Sequence, residues 1–330
     1  MKYRNLGRTD IQVSTVCLGC WSLIGDFTWG DQDEADSVAA IHASLDAGVN
    51  FFDTAEGYGG GRSEEMLGRE LAGVRKSVVL ATKVQPDHLR AADVRRSCEA
   101  SLRRLRTDYI DLYQVHWPEA NSPVAETMAA LEGLKAEGKV RAIGISNCGV
   151  SYMGEFLQAG RIEANQLCYS LLWRPIEPAI QPMCVEQGVS ILAYSPLCQG
   201  LLTGKFDSAD EVPPSRARTR LFSAQRPHSM HREAGCEAEM FAAMLEMRPV
   251  CTSLGVAMAD LALAWVLARP GVASVVAGAR NDRQARINAR AGDMQLPPDV
   301  VEKLAAITEK VKAYAGANPD LWKSDSRMDR

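Results

Sequence analysis

The spacing of short apolar runs is the feature that most limits how this chain can fold. Eight runs predict strands, and they begin near Val16, Asn50, Val78, Tyr109, Val140, Ala164, Ser190 and Ser274. Consecutive starts lie about 24 to 34 residues apart, the length of one βαβ unit, except for a last gap of about 84. The segments between them carry apolar residues at the helical period, as at Val94, Cys98, Leu102 and Leu105.

Eight strand–helix units in 330 residues predict an α/β fold, a single (β/α)8 TIM barrel that spans residues 1–330 as one domain. A doubly wound sheet is the alternative, but the strand count and the lack of a G-x-G-x-x-G motif weaken it. Residues 3–14 predict an N-terminal β-hairpin that turns at residues 7–10. Residues 195–248, after the seventh barrel strand, predict a long loop that leads into a helix, and such loops are commonly functional.

The composition is typical of a soluble globular protein, with 46% hydrophobic and 24% charged residues. The formal net charge of -4 predicts no nucleic-acid partner, and no apolar run predicts a membrane span or a signal peptide. Nine cysteines, an odd number, suggest reduced thiols and a cytoplasmic location. Cys17 and Cys20 have the C-x-x-C spacing, but no second pair follows, so we expect a buried strand and no metal site.

Four ionisable residues lie where the predicted strands end, and the carboxyl ends of barrel strands carry the chemistry of this fold. Asp53, Lys83 and His116 end three consecutive strands, and Tyr58 follows the first of them. A lysine at the end of an apolar run needs a partner, which Asp53 offers. An ammonium beside a phenol should lower the pKa of Tyr58 and suit it to proton donation. A plain buried ion pair and a core histidine are the alternative, which four such residues together disfavour.

Five sequence blocks resemble the aldo-keto reductase family. The run from Asn50 to Gly68, NFFDTAEGYGGGRSEEMLG, is the most specific of them. The other blocks are Leu112–Pro118, Ile143–Asn147, Asn165–Gln166 and Val276–Asn281. They occur in the order found in the family, so the resemblance covers nearly the whole chain.

The resemblance implies an NADP(H)-dependent oxidoreductase that transfers a hydride between nicotinamide and a carbonyl or alcohol of a small molecule. In this pattern Tyr58 is the general acid, Lys83 and Asp53 tune it, and His116 orients the carbonyl. The resemblance also implies contacts to NADPH or NADP+ at Ser146, Asn147, Gln166, Tyr194, Ser195, Leu197, Gly200, Leu201, Lys205, Gly278, Arg280, Gln284 and Asn288. Arg280 matches the position that binds the adenosine 2′-phosphate, which predicts a preference for NADPH. One departure is Ile287, where many relatives have an acidic residue.

The substrate is not fixed by the sequence. Trp21, Trp29 and Trp117 lie at or beyond strand ends and predict an aromatic wall that suits aldehydes, ketones and sugars alike, although ordinary packing is the alternative. The direction of reaction and any closing role of residues 316–330 stay open. The resemblance also leaves room for a non-catalytic NADPH-binding regulatory subunit. Residues 200–205 superficially match a P-loop, but Phe206 replaces the required Ser or Thr, so we exclude nucleotide triphosphate hydrolysis.

Overall fold

Eight parallel strands close into a barrel in the computed structural model, which describes residues 1–121 and 123–330. The barrel strands are β3 Val16–Gly19, β4 Phe51–Asp53, β5 Val79–Val84, β6 Ile110–Val115, β7 Val140–Ser146, β8 Ala164–Cys168, β9 Ser190–Tyr194 and β10 Val272–Gly278. They pair in chain order, and β10 pairs with β3 to close the ring. The predicted (β/α)8 barrel is confirmed, and each strand begins within two residues of its predicted start.

The predicted N-terminal hairpin is also confirmed, and it covers the amino-terminal end of the barrel. It consists of two antiparallel strands, β1 Tyr3–Asn5 and β2 Gln12–Ser14. The Gly7 amide donates to Ser190 Oγ at 2.8 Å, at the start of β9. Leu6, Ile11 and Val13 are buried with side chains from the barrel interior. Because this end is filled with apolar side chains, the opposite end is left for the site.

Helices surround the barrel, as the periodic segments of the sequence predict. Their bounds are α1 Glu34–Asp46, α2 Arg62–Glu70, α3 Ala91–Arg104, α4 Val124–Ala136, α5 Val150–Ala159, α6 Ile180–Gln187, α7 Glu237–Leu254, α8 Met258–Leu267, α9 Asp282–Ala291, α10 Pro298–Ile307 and α11 Glu309–Ala315. In α3 the residues Val94, Cys98 and Leu102 are buried, because the helical period places them on the face that packs on the barrel.

The long connection between β9 and α7 has no helix beyond two short 3₁₀ turns, Cys198–Thr203 and Ala209–Glu211. The helix expected at its end begins at Glu237. Within the described residues, no single helix is long and apolar enough to cross a membrane. Helices α7 and α8 meet that test only as a pair bent by 92°, and every residue of α8 is buried in the protein.

The nine cysteines are all buried and none forms a disulfide. Cys17 lies in β3 and Cys20 in the 3₁₀ turn that follows, Cys20–Leu23. Burial, reinforced by the nearby Asp53 carboxylate, raises the pKa of both thiols. Thiols in this state are poor nucleophiles and poor metal ligands, because both roles need the thiolate.

Candidate active site

The structure brings the four predicted catalytic side chains together at the carboxyl end of three neighbouring strands. Asp53 ends β4, Lys83 lies one residue before the end of β5, and His116 directly follows β6. Tyr58 opens a 3₁₀ turn after β4. The rings of Tyr58 and His116 are 5.8 Å apart and nearly perpendicular. Tyr58 therefore has the edge-on ring of His116 as a direct neighbour.

Lys83 and Asp53 form a buried ion pair beneath Tyr58. Lys83 Nζ donates to Asp53 Oδ1 at 2.5 Å and to the Thr54 carbonyl at 2.7 Å. It also lies 3.4 Å from the Tyr58 hydroxyl oxygen. Burial alone would lower the pKa of Lys83, but the Asp53 carboxylate and the Tyr58 oxygen outweigh it and hold the pKa above its usual value. The lysine therefore stays charged beside the phenol.

The pKa of Tyr58 is raised from its ordinary value, contrary to the expectation drawn from its lysine neighbour. Burial of the phenolate is the main cause, and the Lys83 charge opposes it without cancelling it. The sequence shows the lysine but not the depth of burial, which explains the wrong sign. A phenol with a raised pKa keeps its proton at neutral pH, so Tyr58 can act as a proton donor.

His116 is neutral in this site. Burial and then the Lys83 charge lower the pKa of its imidazole to about 3. Its backbone amide donates to the Val84 carbonyl at 3.0 Å, and its own carbonyl accepts from Asn147 Nδ2 at 3.0 Å. The ring Nδ1 lies 3.2 Å from Gln85 Oε1. The histidine is therefore fixed at its backbone and at one ring nitrogen.

The residues expected to hold the nicotinamide end lie along the next strand ends. Ser146 ends β7, Gln166 lies in β8, and Tyr194 ends β9. The Tyr194 hydroxyl donates to Asn147 Oδ1 at 2.8 Å, and Asn147 Nδ2 donates to Ser146 Oγ at 3.0 Å. Gln166 Nε2 instead donates to Asp53 Oδ2 at 2.8 Å. Gln166 thus connects this cluster of polar side chains to the Lys83–Asp53 ion pair.

The loop after β9 has a backbone that few side chains favour. Ser195, Cys198 and Gln199 have positive φ values of 50°, 47° and 55°, and Gly200 follows at 92°. Leu197, with φ -96° and ψ 12°, comes directly before this run. A right-handed residue followed by a left-handed one turns successive N–H groups toward a common point, which is a common anion-binding arrangement. Gln199 is 5% exposed, yet neither atom of its amide has a hydrogen-bond partner within the described residues. The loop therefore holds unused polar groups of its own.

Two cations reach this loop, and a third, Arg280, is close enough for its charge to act on both. A Cβ on Gly200 would lie 3.5 Å from Arg216 Nη1 and 3.8 Å from Lys205 Nζ, so both side chains reach the loop. Burial lowers the pKa of Lys205 and of Arg216, and the Arg280 charge lowers both further. Arg216 Nε is buried without a hydrogen-bond partner among the described residues. Unpaired cations and orphaned donors at a left-handed loop fit a diphosphate.

Arg280 follows β10 and binds a loop from the other side of the site. Its guanidinium donates to Gln32 Oε1 at 2.6 Å, to the Trp29 carbonyl at 2.9 Å and to the Asp31 carbonyl. Gln284 accepts from the Arg280 backbone amide at 3.0 Å. Asn288 Nδ2 donates to the carbonyl of Gly278 at 3.0 Å. The predicted adenosine-end residues therefore lie together, with Arg280 tied to residues 29–32.

The three predicted pocket tryptophans line the same end of the barrel in two groups. Trp21 lies 6.3 Å from the Tyr58 ring, in a stacked arrangement, and 5.4 Å from Trp29. Arg327 covers the Trp117 ring at 3.9 Å and forms a two-point ion pair with the buried Asp320. Residues 316–330 are therefore folded over the barrel mouth, an outcome that the sequence left open.

Three residues at the site are not among those assigned to it from the sequence: Gln85, Gln199 and Arg327. A fourth, Arg216, is expected there only as part of an arginine-rich segment that orders over bound cofactor. Arg216 lies in the long loop, where only the density of arginines in residues 213–220 points to an anion. Gln199 lies between Leu197 and Gly200, which the resemblance assigns to the cofactor, but it is an ordinary polar residue by type. Gln85 and Arg327 make contacts that no local sequence pattern predicts.

Comparison with known proteins agrees with this geometry. The Aldo/keto reductase family model matches residues 15–309. The chain is 35% identical to the NADH-specific methylglyoxal reductase of Escherichia coli, over 90% of this chain and 95% of that protein. It is 32% identical to a probable voltage-gated potassium channel subunit beta of Oryza sativa, over 94% of this chain and 97% of that protein.

Solved structures lead to the same family. A glycerol dehydrogenase from Gluconobacter oxydans superposes with a TM-score of 0.82 at 32% identity, covering 93% of this chain and 95% of that one. An aldo-keto reductase from Klebsiella pneumoniae in complex with NADPH superposes with a TM-score of 0.73 at 29% identity, covering 97% and 98%. With the barrel, the ion pair beneath Tyr58 and the family match in agreement, this chain belongs to the aldo/keto reductase family.

Proposed function

We propose that this protein is an NADP(H)-dependent reductase that transfers a hydride between nicotinamide and a carbonyl carbon or alcohol of a small molecule. The observation that carries the proposal is the buried Lys83–Asp53 pair 3.4 Å from the Tyr58 hydroxyl, beside a neutral His116. Such a site offers a proton donor and polar groups around one oxygen atom. Those are the groups that a carbonyl needs when it becomes an alkoxide.

Bound cofactor would supply the hydride, and the chain's own residues do the rest. Tyr58 donates its proton to the substrate oxygen as the carbonyl becomes an alcohol. Lys83 stabilises the negative charge that is left on the phenol oxygen, and Asp53 keeps that lysine in place. His116 orients the substrate so that its carbonyl oxygen faces Tyr58. Positioning and electrostatics of this kind can account for most of the rate.

We assign cofactor binding to the residues along the rim from β7 to β10. Ser146, Asn147 and Gln166 bind the carboxamide of the nicotinamide, and Tyr194 packs on its ring. The 195–201 loop binds the diphosphate, together with Lys205 and Arg216, whose side chains lie beside Gly200. Gly278, Arg280, Gln284 and Asn288 take the adenosine end. The substrate pocket falls to Trp21, Trp29 and Trp117.

The preference for NADP(H) rests on charge. Lys205, Arg216 and Arg280 make no salt bridge to the described residues, so their charge is available to an extra phosphate. The structural neighbour from Klebsiella pneumoniae contains NADPH, which supports the proposal. The Escherichia coli relative is named NADH-specific, so the family supports either cofactor. Arg280 is the side chain on which we base the choice.

We also propose that residues 1–330 form one cytoplasmic domain. The hairpin fills the amino-terminal end of the barrel, and the tail packs across the other end. Nine buried cysteines without a disulfide suit a reducing compartment. Besides the cofactor, the partner that the site requires is a small-molecule carbonyl compound or alcohol.

A non-catalytic NADPH-binding subunit is the second candidate, because a relative is a probable potassium channel subunit beta. The two are separated by following NADPH or NADH consumption with a panel of aldehydes, ketones and sugars, and NADP+ reduction with the matching alcohols. We expect many turnovers per protein molecule with at least one carbonyl compound. Tight NADPH binding with no turnover of any compound would favour the regulatory candidate and contradict the proposal.

A further inference from the structure

We propose that the tail residue Trp322 and the hydroxyl of Tyr194 are positioning groups that act on His116 through Asn147. These four residues form one hydrogen-bonded network, which we call the positioning network. Its consequence is that the tail contributes to the chemical step and does not merely cover the substrate pocket. This inference rests on the proposed function, because it concerns the residue that orients the carbonyl in that reaction.

The side-chain amide of Asn147 is the centre of the positioning network. Asn147 Nδ2 donates to the His116 carbonyl at 3.0 Å and to Ser146 Oγ at 3.0 Å. The Tyr194 hydroxyl donates to Asn147 Oδ1 at 2.8 Å. A main-chain carbonyl can only accept, so the amide nitrogen must face His116 and the amide oxygen must face Tyr194. The donor and the acceptor of each contact are therefore fixed.

Trp322 connects the tail to this centre. Burial raises the pKa of the Tyr194 phenol well above its ordinary value, while a hydrogen bond from the Trp322 side chain lowers it. An indole N–H can only donate, and the single proton of the Tyr194 hydroxyl is already given to Asn147. The hydroxyl oxygen is therefore the acceptor for Trp322. All hydrogen bonds of the positioning network run in one direction, from the tail to the catalytic histidine.

Trp322 is held in place by both the tail and the long loop. Its backbone amide donates to Oδ1 of the buried Asp320 at 3.0 Å. The guanidinium of Arg218, from the long loop, lies 4.7 Å from the centre of its ring. The Arg220 backbone amide donates to the carbonyl of the preceding residue, Leu321, at 2.9 Å. The indole therefore offers its N–H from a fixed point.

His116 depends on Asn147 for one of its two backbone contacts. Its backbone amide donates to the Val84 carbonyl at 3.0 Å, and its carbonyl accepts from Asn147. Loss of the Tyr194 hydroxyl would leave the amide oxygen of Asn147 without this donor, so the amide would be free to turn. The backbone of His116 would then lose a fixed support. A small displacement of a catalytic group lowers the rate of reaction, because the reacting atoms must be precisely aligned.

The first test observes the positioning network without using activity. Nitrogen-15 spectra of the whole protein, with and without NADP+, show the indole N–H signals of its six tryptophans. The Trp322 signal is assigned by its absence in Trp322→Phe. In Tyr194→Phe the proton of this indole should shift upfield, because it loses its acceptor. The Trp265 indole donates to the Val301 carbonyl at 3.0 Å, and its signal should stay unchanged. A Trp322 signal that is the same in the parent and in Tyr194→Phe would overturn the inference.

The second test is a double-mutant cycle on kcat with the best carbonyl substrate. Tyr194→Phe keeps the ring that packs on the nicotinamide and removes the hydroxyl, and Trp322→Phe removes the N–H donor. Each should lower kcat roughly three- to tenfold, the effect of one hydrogen bond, while the dissociation constant for NADPH stays near that of the parent. The double variant should be no slower than Tyr194→Phe, because both changes interrupt the same network. A tail that only covers the pocket would instead give Trp322→Phe a raised KM with an unchanged kcat, which would contradict the inference.

Tyr169→Phe is the matched control, because the Tyr169 hydroxyl donates to Glu177 Oε1 at 2.8 Å and is not part of the positioning network. It should retain the kcat of the parent. Additive losses in the double variant, or a parental kcat in Tyr194→Phe, would contradict the inference, while turnover by the parent would leave the proposed function intact. Failure of the parent to reduce any carbonyl compound would instead contradict the proposed function, and the tryptophan spectra would still decide whether Trp322 donates to Tyr194.

Discussion

Lys83 Nζ lies 2.5 Å from Asp53 Oδ1, and neither side chain is more than 3% exposed. Removal of one partner leaves an uncompensated charge in the barrel, which costs about 3–5 kcal/mol. Lys83→Met should therefore lower the free energy of unfolding by about that amount and also impair turnover. Asp53→Asn should do the same to a smaller extent, because its amide still accepts from Lys83. Denaturant unfolding measures both variants.

A matched control for this prediction is Lys139→Met. Lys139 pairs with Glu99 at 2.9 Å on the protein surface, where both side chains are partly exposed. Its loss should change stability far less, because solvent screens exposed pairs. If Lys83→Met were no more destabilising than Lys139→Met, the buried pair would not have the role assigned to it.

The low pKa of His116 predicts how stability depends on pH. The folded state holds this pKa at about 3, whereas an unfolded histidine titrates near 6.5. Between those values the unfolded chain binds the extra proton, so this histidine destabilises the fold as pH decreases from 6.5 toward 3. The slope from one such group approaches about 1.4 kcal/mol per pH unit. Unfolding free energies at pH 6.5 and 5 should therefore fall more steeply for the parent than for His116→Gln. Parallel curves would show that His116 is not buried in neutral form.

Arg280 should set the cofactor preference. A charge-assisted hydrogen bond contributes about 1.5–3 kcal/mol, so NADPH should bind roughly ten- to a hundredfold more tightly than NADH. Arg280→Ala should remove most of that difference, as measured by the dissociation constants of both cofactors. Arg286→Ala is the control, because Arg286 lies on α9, which begins two residues after Arg280, and pairs with Asp46 at the surface. If Arg280→Ala still preferred NADPH over NADH, the Arg280 guanidinium would have only its structural contacts with residues 29–32 and no role in cofactor choice.

Residues 205–232 should become more protected from hydrogen exchange when NADPH binds. Ser215 Oγ already donates to the Thr28 carbonyl at 3.2 Å, and Arg218 Nη2 donates to Thr28 Oγ1 at 3.2 Å. These contacts join the segment to the loop that contains Thr28, on the other side of the proposed cofactor site. A diphosphate bound by Lys205 and Arg216 would tighten them. Equal protection with and without NADPH would mean that the segment is a plain surface connection.

The regular parts of this fold can be predicted from sequence because they depend on local periodicity. The strands at Val16 and Val140 begin at the predicted residues, since apolar runs and their spacing are visible in the chain. Asp53, Lys83 and His116 could be found for the same reason. Each ends a recognisable strand, and the barrel geometry then brings the ends together.

Other features depend on contacts between residues that are far apart in the sequence, and local sequence patterns do not predict such contacts. Arg280 binds the carbonyl of Trp29, 251 residues away along the chain. Arg327 covers Trp117 from a polar tail that has no helical or strand period. The pKa of Tyr58 rises because its burial outweighs the effect of Lys83, and burial depends on the packed structure.

The most direct test of the account is the turnover of Tyr58→Phe. The phenylalanine keeps the ring and removes only the hydroxyl that donates the proton, so kcat should fall by about 10²–10⁴-fold. The dissociation constant for NADPH should remain near that of the parent, since cofactor binding is assigned to the rim from β7 to β10. Steady-state turnover with the best carbonyl substrate, measured beside NADPH titration, gives both numbers. A variant with near-normal kcat would contradict the assignment of Tyr58 as the proton donor.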